Sequence, residues 1–362
     1  MRRSAERLEE DRMIEETARR FLRKTHDWSP TPRPLDRAAA ADLGWFAMGL
    51  PEEMDGLGSD PHQMLTVVRE AGRVLLPDPI GTDLLVAGRL LRATGQADLA
   101  VDLASGAAAF AFLPGPAVRE RAGRFSGTTA IAPVTAQATH LIVATPGGST
   151  LILPANAVRY HAVRLMDGRT GGYVTLEAIA PDACGGHAIA DSELTVELEN
   201  RARLALLAEA LGAFEAGFAL TLDYLRTRRQ FGQTLASFQA VQHHMANAYC
   251  GLESFRSLIL GAAVALDARA QVRAERIDAA RLTLAHVVLK AVSDCIQVSG
   301  GIAMTEDYFL GHAYKRVQTI HGLLPAASQA VGALASALFN RTAPPASPAR
   351  PRSLVLTSGA DE

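Results

Sequence analysis

Tyr224-Leu225-Arg226-Thr227-Arg228-Arg229-Gln230-Phe231-Gly232 is a basic, glycine-closed turn between two long apolar-periodic segments. Upstream, Leu204, Leu207, Leu211, Phe214, Phe218, Leu222 and Leu225 recur at three- and four-residue steps, the seam of a bundle helix. Downstream, Phe238, Val241, Met245, Ala248 and Leu252 form the inward stripe of a second helix running to about Arg256. A third helix is seeded by Leu282, Ala285, Leu289, Val292 and Ile296, and a fourth by Val331, Leu334 and Leu338. The turn thus interrupts a four-helix bundle expected over 200–341. On spacing alone it is either a plain helix connection or a site.

Toward the N-terminus the pattern is helical again, and residues 1–105 read as an all-helical domain. Leu8, Ile14, Ala18, Phe21 and Leu22 lie among charges on one amphipathic helix. The prolines of Trp28–Pro34 demand a loop, and shorter helices follow over Leu35–Leu43, His62–Leu75, Ile80–Leu91 and Ala97–Leu103. Between 106 and 199 the periodicity changes. Ala107–Leu113, Arg124–Ala132, Thr139–Ala144, Thr150–Leu153, Tyr173–Ala180 and Leu194–Leu198 are short apolar or β-branched runs separated by Gly, Pro or Asp. That is the pattern of an antiparallel β domain. Pro344, Pro345, Pro348 and Pro351 make 342–362 a disordered tail.

The 362 residues carry a formal net charge of −2, without the basic excess of a nucleic-acid binder. No long uncharged apolar run is expected to span a bilayer, and the charged stretch Met1–Lys24 lacks the apolar centre of a secretory signal. Cys184, Cys250 and Cys295 are far apart, with no metal-type spacing. A cytoplasmic protein without metal, membrane or nucleic-acid partners is expected.

In this order of helical domain, β domain and bundle, the chain resembles the acyl-CoA dehydrogenase family from about Ile14 to about Phe339. Pro51-Glu52-Glu53-Met54-Asp55-Gly56-Leu57-Gly58 is similar to the family's Pro-Glu-x-x-Gly-Gly-Leu-Gly turn. Glu70-Ala71-Gly72-Arg73 resembles its Glu-x-(Leu/Ala)-Gly-Arg helix end, one residue shorter. Arg228-Arg229-Gln230-Phe231-Gly232, with Gln239 eight residues beyond Phe231, is similar to the most specific family signature. Gln297-Val298-Ser299-Gly300-Gly301-Ile302 resembles the Gln-x-x-Gly-Gly motif.

The resemblance implies a multidomain α+β fold and FAD-dependent α,β-dehydrogenation of an acyl-CoA thioester. A carboxylate takes the α-proton while the β-hydrogen leaves as hydride. It implies an FAD shared between subunits, with Arg228, Phe231, Gln239, Gln297, Gly300 and Gly301 reaching into a neighbour's site to hold pyrophosphate and adenosine. An arginine fork suits pyrophosphate, and glycines let backbone approach phosphate oxygens. Each has a bland alternative: Arg228 as a solvated surface residue, and Gly300-Gly301 as a helix C-cap.

Two departures qualify the resemblance. The family's catalytic carboxylate falls at Leu324 or at Ala202, and no Asp or Glu lies between Asp307 and Asp361. Glu199, at the end of the expected strand Leu194–Leu198, and His321 are the displaced candidates. The flavin-contacting Thr-Glu-Pro-x-x-Gly-Ser-Asp loop is replaced by Pro114-Gly115-Pro116-Ala117-Val118-Arg119-Glu120. An intact clamp for a neighbour's FAD beside a degraded site of its own resembles the smaller, non-catalytic subunit of heteromeric (α2β2) bacterial acyl-CoA dehydrogenases, known for steroid thioesters. Such a chain would have a catalytic partner subunit, an acyl-CoA substrate and an acceptor such as an electron-transfer flavoprotein. The alternatives are a self-sufficient homotetramer using Glu199 or His321, and an FAD-less scaffold or regulator.

Overall fold

The computed structural model describes residues 2–26, 28, 33–266 and 268–342, and side chains from residue 9 to 337 and at 339. Side chains of the expected positions Leu8 and Leu338, part of the proline loop after Trp28, and the expected tail from residue 343 onward lie outside the described residues.

The N-terminal part is helical: α1 (Arg2–Thr25), α2 (Arg37–Asp42), α3 (Pro61–Arg73), α4 (Ile80–Thr82), α5 (Gly88–Thr94) and α6 (Ala97–Ala104). Local chemistry sets the starts. The Asp36 carboxylate accepts the Ala39 N–H at 3.1 Å. Asp60 and Gln63 form a reciprocal capping box ahead of α3, with Pro61 at the first helical position. A π turn, Asp83–Ala87, joins α4 to α5 without breaking the helix. It places the Asp83 carboxylate against the Phe110 N–H and Arg37 Nη1, both at 2.8 Å, linking this part to the first strand of the next.

The middle part holds two sheets. β1 (Phe110–Pro114), β5 (His140–Ala144), β6 (Ser149–Pro154) and β9 (His187–Ala190) form one in that order. β2 (Arg119–Arg121), β3 (Arg124–Thr128), β8 (Thr170–Ile179) and β4 (Ala132–Pro133) form the other, with β7 (Arg159–Arg164) also on β8. As expected the domain is antiparallel, with one exception: β1 and β5 run parallel. The segment between them is long enough for a crossover and carries β2, β3 and β4 into the second sheet. Along the first sheet the faces alternate. Phe110, Phe112, Ile142 and Ile152 join the helical core, whereas Leu113, Leu141, Val143 and Leu153 join the core between the sheets. Burial on both faces explains the near-continuous apolar runs.

The C-terminal part begins earlier than expected. Leu194–Leu198 is not a strand: α7 (Ser192–Thr227) starts there, with the Asp191 side chain accepting the Leu194 N–H at 2.9 Å. A short apolar run fits either element, and the cap decides it. The helical part thus opens eight residues before position 200, and Glu199 is a helix residue. β10 (Arg229–Gln230) and β11 (Gln233–Thr234) follow, then α8 (Gln239–Val264), which runs past the expected end at Arg256. α9 (Ala270–Thr283) continues through a second π turn, Leu284–Val288, into α10 (Leu289–Ser299).

α11 (Phe309–Leu323) packs on α7 and completes the bundle; the expected fourth helix is α12 (Ala327–Thr342), which lies against α9. Lys315, Arg316 and His321 gave α11 a mixed pattern that hides its buried stripe of Leu310, Ala313, Val317 and Ile320. α7 is the axis, touching α3, α8, α10 and α11. Gly72 and Gly212 let α3 and α7 cross closely: a Cβ on Gly212 would stand 1.9 Å from the Arg69 carbonyl oxygen. By length and composition alone two helical segments, Ser192–Thr227 and Ala270–Met304, are apolar enough to cross a membrane, though neither is an uncharged run. Each carries charges among its apolar residues, and 78% of the apolar window of the first is buried by its neighbours.

Candidate functional site

The basic turn is a hairpin. α7 stops at Thr227, and Arg228 leaves it in extended conformation, its N–H donating to the Tyr224 carbonyl at 2.8 Å. Arg229 pairs with Thr234 and Gln230 with Gln233. Between them Phe231 (φ 52°) and Gly232 (φ 80°) are both left-handed, the signature of a type I′ turn. Phe231 is 89% exposed, its ring edge-on to Phe238 at 6.2 Å. The Arg228 side chain is exposed, and so is Gln239, the first residue of α8, beyond the hairpin.

The glycine pair lies at the same end of the bundle. α7 and α10 both end there and α8 and α11 both start there. The Tyr224 and Tyr308 rings, 6.4 Å apart, join the two connections. Gln297 is exposed on the last turn of α10. Gly300 has φ 71° and ψ −151°, a region closed to side chains. Its N–H donates to the Ile296 carbonyl, so of the pair only Gly301 keeps the expected role of offering a backbone donor. Neither glycine faces an atom within 4 Å of where a Cβ would stand, so a ligand can lie against them. Among the described residues no hydrogen bond joins Arg228, Gln239 and Gln297 to one another. The set is an outward-facing group of one guanidinium fork, two amides and open backbone, chemistry that fits a pyrophosphate and its sugar.

A cavity of about 440 Å³ lies where the helical part, the β domain and the bundle meet. Both positions where the resemblance puts a catalytic carboxylate, Ala202 and Leu324, line it, and so does Glu199. His321, half-buried in the last turn of α11, does not. Glu199 Oε2 is held by Arg203 Nη2 at 2.6 Å, one helical turn on, and Arg203 Nη1 donates to Asn200 Oδ1 at 3.2 Å. On the β side, Pro114, Pro116, Pro133 and Pro146 offer no N–H. The Gly115 and Ala130 N–H groups are spent on the carbonyls of Ala144 and Pro114 at 2.8 and 2.7 Å. A flavin ring presents carbonyl and nitrogen acceptors that need donors when buried. The prolines and the two spent N–H groups leave this wall few donors for one.

Behind the cavity sits a buried ion cluster that the sequence did not single out. Asp167 Oδ2 receives Arg169 Nε (2.7 Å) and Arg316 Nε (2.6 Å). Glu209 Oε1 receives Arg169 Nη1 and Arg316 Nη1, both at 2.8 Å. Arg316 also donates to the Leu75 and Leu76 carbonyls that follow α3. Burial and the neighbouring Arg169 press its pKa down against the pull of the two carboxylates. In the sequence, Asp167 lies in Met166-Asp167-Gly168, one of the Gly- and Asp-bearing separators between the expected strands. Among the described residues no three His, Cys, Asp or Glu side chains converge as metal ligands.

Two family models match the chain: "Acyl-CoA dehydrogenase, N-terminal domain" over residues 8–98 and "Acyl-CoA dehydrogenase, C-terminal domain" over residues 193–321. Acyl-CoA dehydrogenase IpdE2 of Mycobacterium tuberculosis is 29% identical over 306 residues, covering 84% of this chain and 86% of that protein. Acyl-CoA dehydrogenase FadE34 of the same organism is 28% identical over 306 residues, but those make up 79% of this chain and 40% of that protein. Among solved structures, the ChsE4-ChsE5 complex from Mycobacterium tuberculosis superposes with a TM-score of 0.80 at 20% identity, covering 92% of this chain and 98% of that one. The Tcur3481-Tcur3483 steroid ACAD does so at 0.78 and 23% identity, with the same coverages. At such identities the structural likeness is one of fold.

Proposed function

The chain belongs to the acyl-CoA dehydrogenase family, whose FAD-dependent members are oxidoreductases acting on CH–CH bonds, and we propose that it is the non-catalytic subunit of a mixed oligomer. One observation carries this reading: the cavity lined by both base positions holds Ala202 and Leu324 there, against a wall poor in donors. Arg228, Gln239, Gln297 and Gly301 face outward from the bundle end and serve the FAD of a catalytic partner subunit. Arg228 grips the pyrophosphate, the two glutamines take sugar and adenine groups, and Phe231 covers the cofactor with an apolar face. Bound FAD supplies the hydride acceptor; the partner supplies the base. The substrate is an acyl-CoA. The electrons pass on to an acceptor such as an electron-transfer flavoprotein.

The test is to purify the chain alone and together with a candidate catalytic partner, recording flavin absorbance and dehydrogenase activity. Colourless protein alone and a yellow, active complex is the expected result; yellow, active protein from this chain alone overturns the reading. In the complex, Arg228→Ala removes charge-assisted contacts worth about 1.5–3 kcal/mol each, so the complex loses FAD. Unchanged flavin content rejects the clamp.

A second reading has one observation in its favour, the place of Glu199 on the cavity wall. It makes the chain a self-sufficient dehydrogenase with Glu199 as base. Its ion pair with Arg203 engages the oxygen a base would need free. Glu199→Gln decides: a rate loss of several decades establishes this reading, and turnover within a small factor ends it.

A further inference from the structure

A second cavity, of about 550 Å³, opens between the end of α1, the segment after α3, the β7–β8 turn and the start of α11. Its size falls within the roughly 300–1,000 Å³ of small-molecule sites. Among the described residues, five cationic side chains and two carboxylates line it, an excess of three positive charges in a chain whose net charge is −2.

The charges divide into two sets. Arg316 and Asp167 are consumed by the buried cluster, and Lys315 is held by Glu306 at 2.9 Å. Lys24, Arg33 and Arg164 meet no carboxylate among the described residues. The carbonyls of Leu75 and Leu76, which would repel an anion here, are occupied by Arg316. Trp28 forms part of the wall, its indole 5.0 Å from the His312 ring and 5.8 Å from Phe309. Among the described residues, these three cations around a roomy cavity with an aromatic wall take part in no ion pair that would hold the fold.

The geometry points to a binding site for an oligophosphate of the nucleotide kind, with Lys24, Arg33 and Arg164 on the phosphates and Trp28 beside the base. Such a group reaches a cell either as a free nucleotide or as the nucleotide end of coenzyme A. The site is separate from the Arg228 hairpin and does not depend on the function proposed above.

Trp28 gives the assay, because the only other tryptophan, Trp45, is buried. The full chain is titrated at low ionic strength with pyrophosphate, ADP and coenzyme A, following tryptophan fluorescence and calorimetry. Saturable binding is expected, weakened about tenfold by each of Lys24→Gln, Arg33→Gln and Arg164→Gln, the loss of one charge-assisted contact. Trp28→Phe abolishes the fluorescence change while calorimetry still records binding. ADP and coenzyme A equal in affinity identify the free nucleotide portion as sufficient; coenzyme A alone identifies the thioester carrier. Absence of binding at millimolar ligand overturns the proposal. So does binding that survives all three charge substitutions, or that disappears in Arg228→Ala, which would put the anion on the hairpin instead.

Discussion

Arg316→Met tests whether the buried cluster, rather than apolar contact alone, joins the three parts of the chain. Methionine keeps much of the volume and removes the charge. Arg316 is 3% exposed and makes four hydrogen bonds, one to Asp167, one to Glu209 and two to carbonyls after α3, and it shares both carboxylates with Arg169. After the substitution two buried carboxylates share one cation, and two buried carbonyls lose a donor. Removing one partner of a buried pair costs about 3–5 kcal/mol, and solvent offers no screening at this exposure. Against a total stability of about 5–15 kcal/mol that is a large fraction. Urea unfolding followed by circular dichroism and tryptophan fluorescence measures it, and disagreement between the two probes reports that the parts come apart separately. Arg316→Met combined with Glu209→Gln should cost less than the sum of the two single changes, since the second removes a stranded charge. A loss below about 1 kcal/mol for Arg316→Met, or strict additivity in the pair, refutes the reasoning.

The hairpin tip offers a contrasting case. Phe231→Gly relieves a left-handed non-glycine residue and adds chain entropy to the unfolded state, opposing effects of about 1 kcal/mol each. The melting temperature should barely move while FAD retention by the mixed complex falls; a marked drop in stability would show that the ring packs on this chain. Burial opposes ionisation of Glu197, but Arg201 at 2.8 Å and Arg89 at 3.1 Å outweigh it and hold the carboxyl below its ordinary range. Its stabilising effect is therefore present above the unfolded pKa of about 4.3 and lost as the pH falls through the lower folded value. Glu197→Gln should flatten the decline of the urea midpoint below about pH 4; an unchanged slope contradicts the pairing. Burial pushes the Cys295 thiol up to about 12, whereas Cys250 is exposed. Iodoacetamide at neutral pH should label Cys250 in the folded chain and Cys295 only after unfolding, as peptide mass spectrometry would show.

The bundle and the β domain were legible where one period dominates. The stripe from Leu204 to Leu225 is buried or half-buried almost as read, because a helix at the centre of a bundle must keep its seam apolar. Leu194–Leu198 was misread because five residues with two leucines satisfy a strand as well as a helix, and the capping Asp191 lay outside the run. α11 was missed for the opposite reason. Its charged Arg316 is buried, which the rule that arginine faces water does not foresee. The clamp motif could be named from sequence, but the spent Gly300 N–H could not, since it depends on a backbone angle. That Leu324 shares one cavity with Ala202 and Glu199 of α7 required the end of α11 to return to a helix more than a hundred residues earlier.

The π turn at Asp83–Ala87 sets the rotational phase of the helix around it. Before the turn, Gly81 faces Ala205 on α7, where a Cβ would come within 2.6 Å of the alanine methyl. After it, Gly88 faces the Gly49 carbonyl, where a Cβ would stand 2.1 Å from the oxygen. Both glycines abut a neighbour at the distance only hydrogen permits. An α-helix advances about 100° per residue, so deleting one residue between them would restore regular hydrogen bonding and swing one glycine away from its partner. The wider turn thus acts as a fixed offset between two docking faces of one helix, and this stretch tolerates substitution far better than any change in its length.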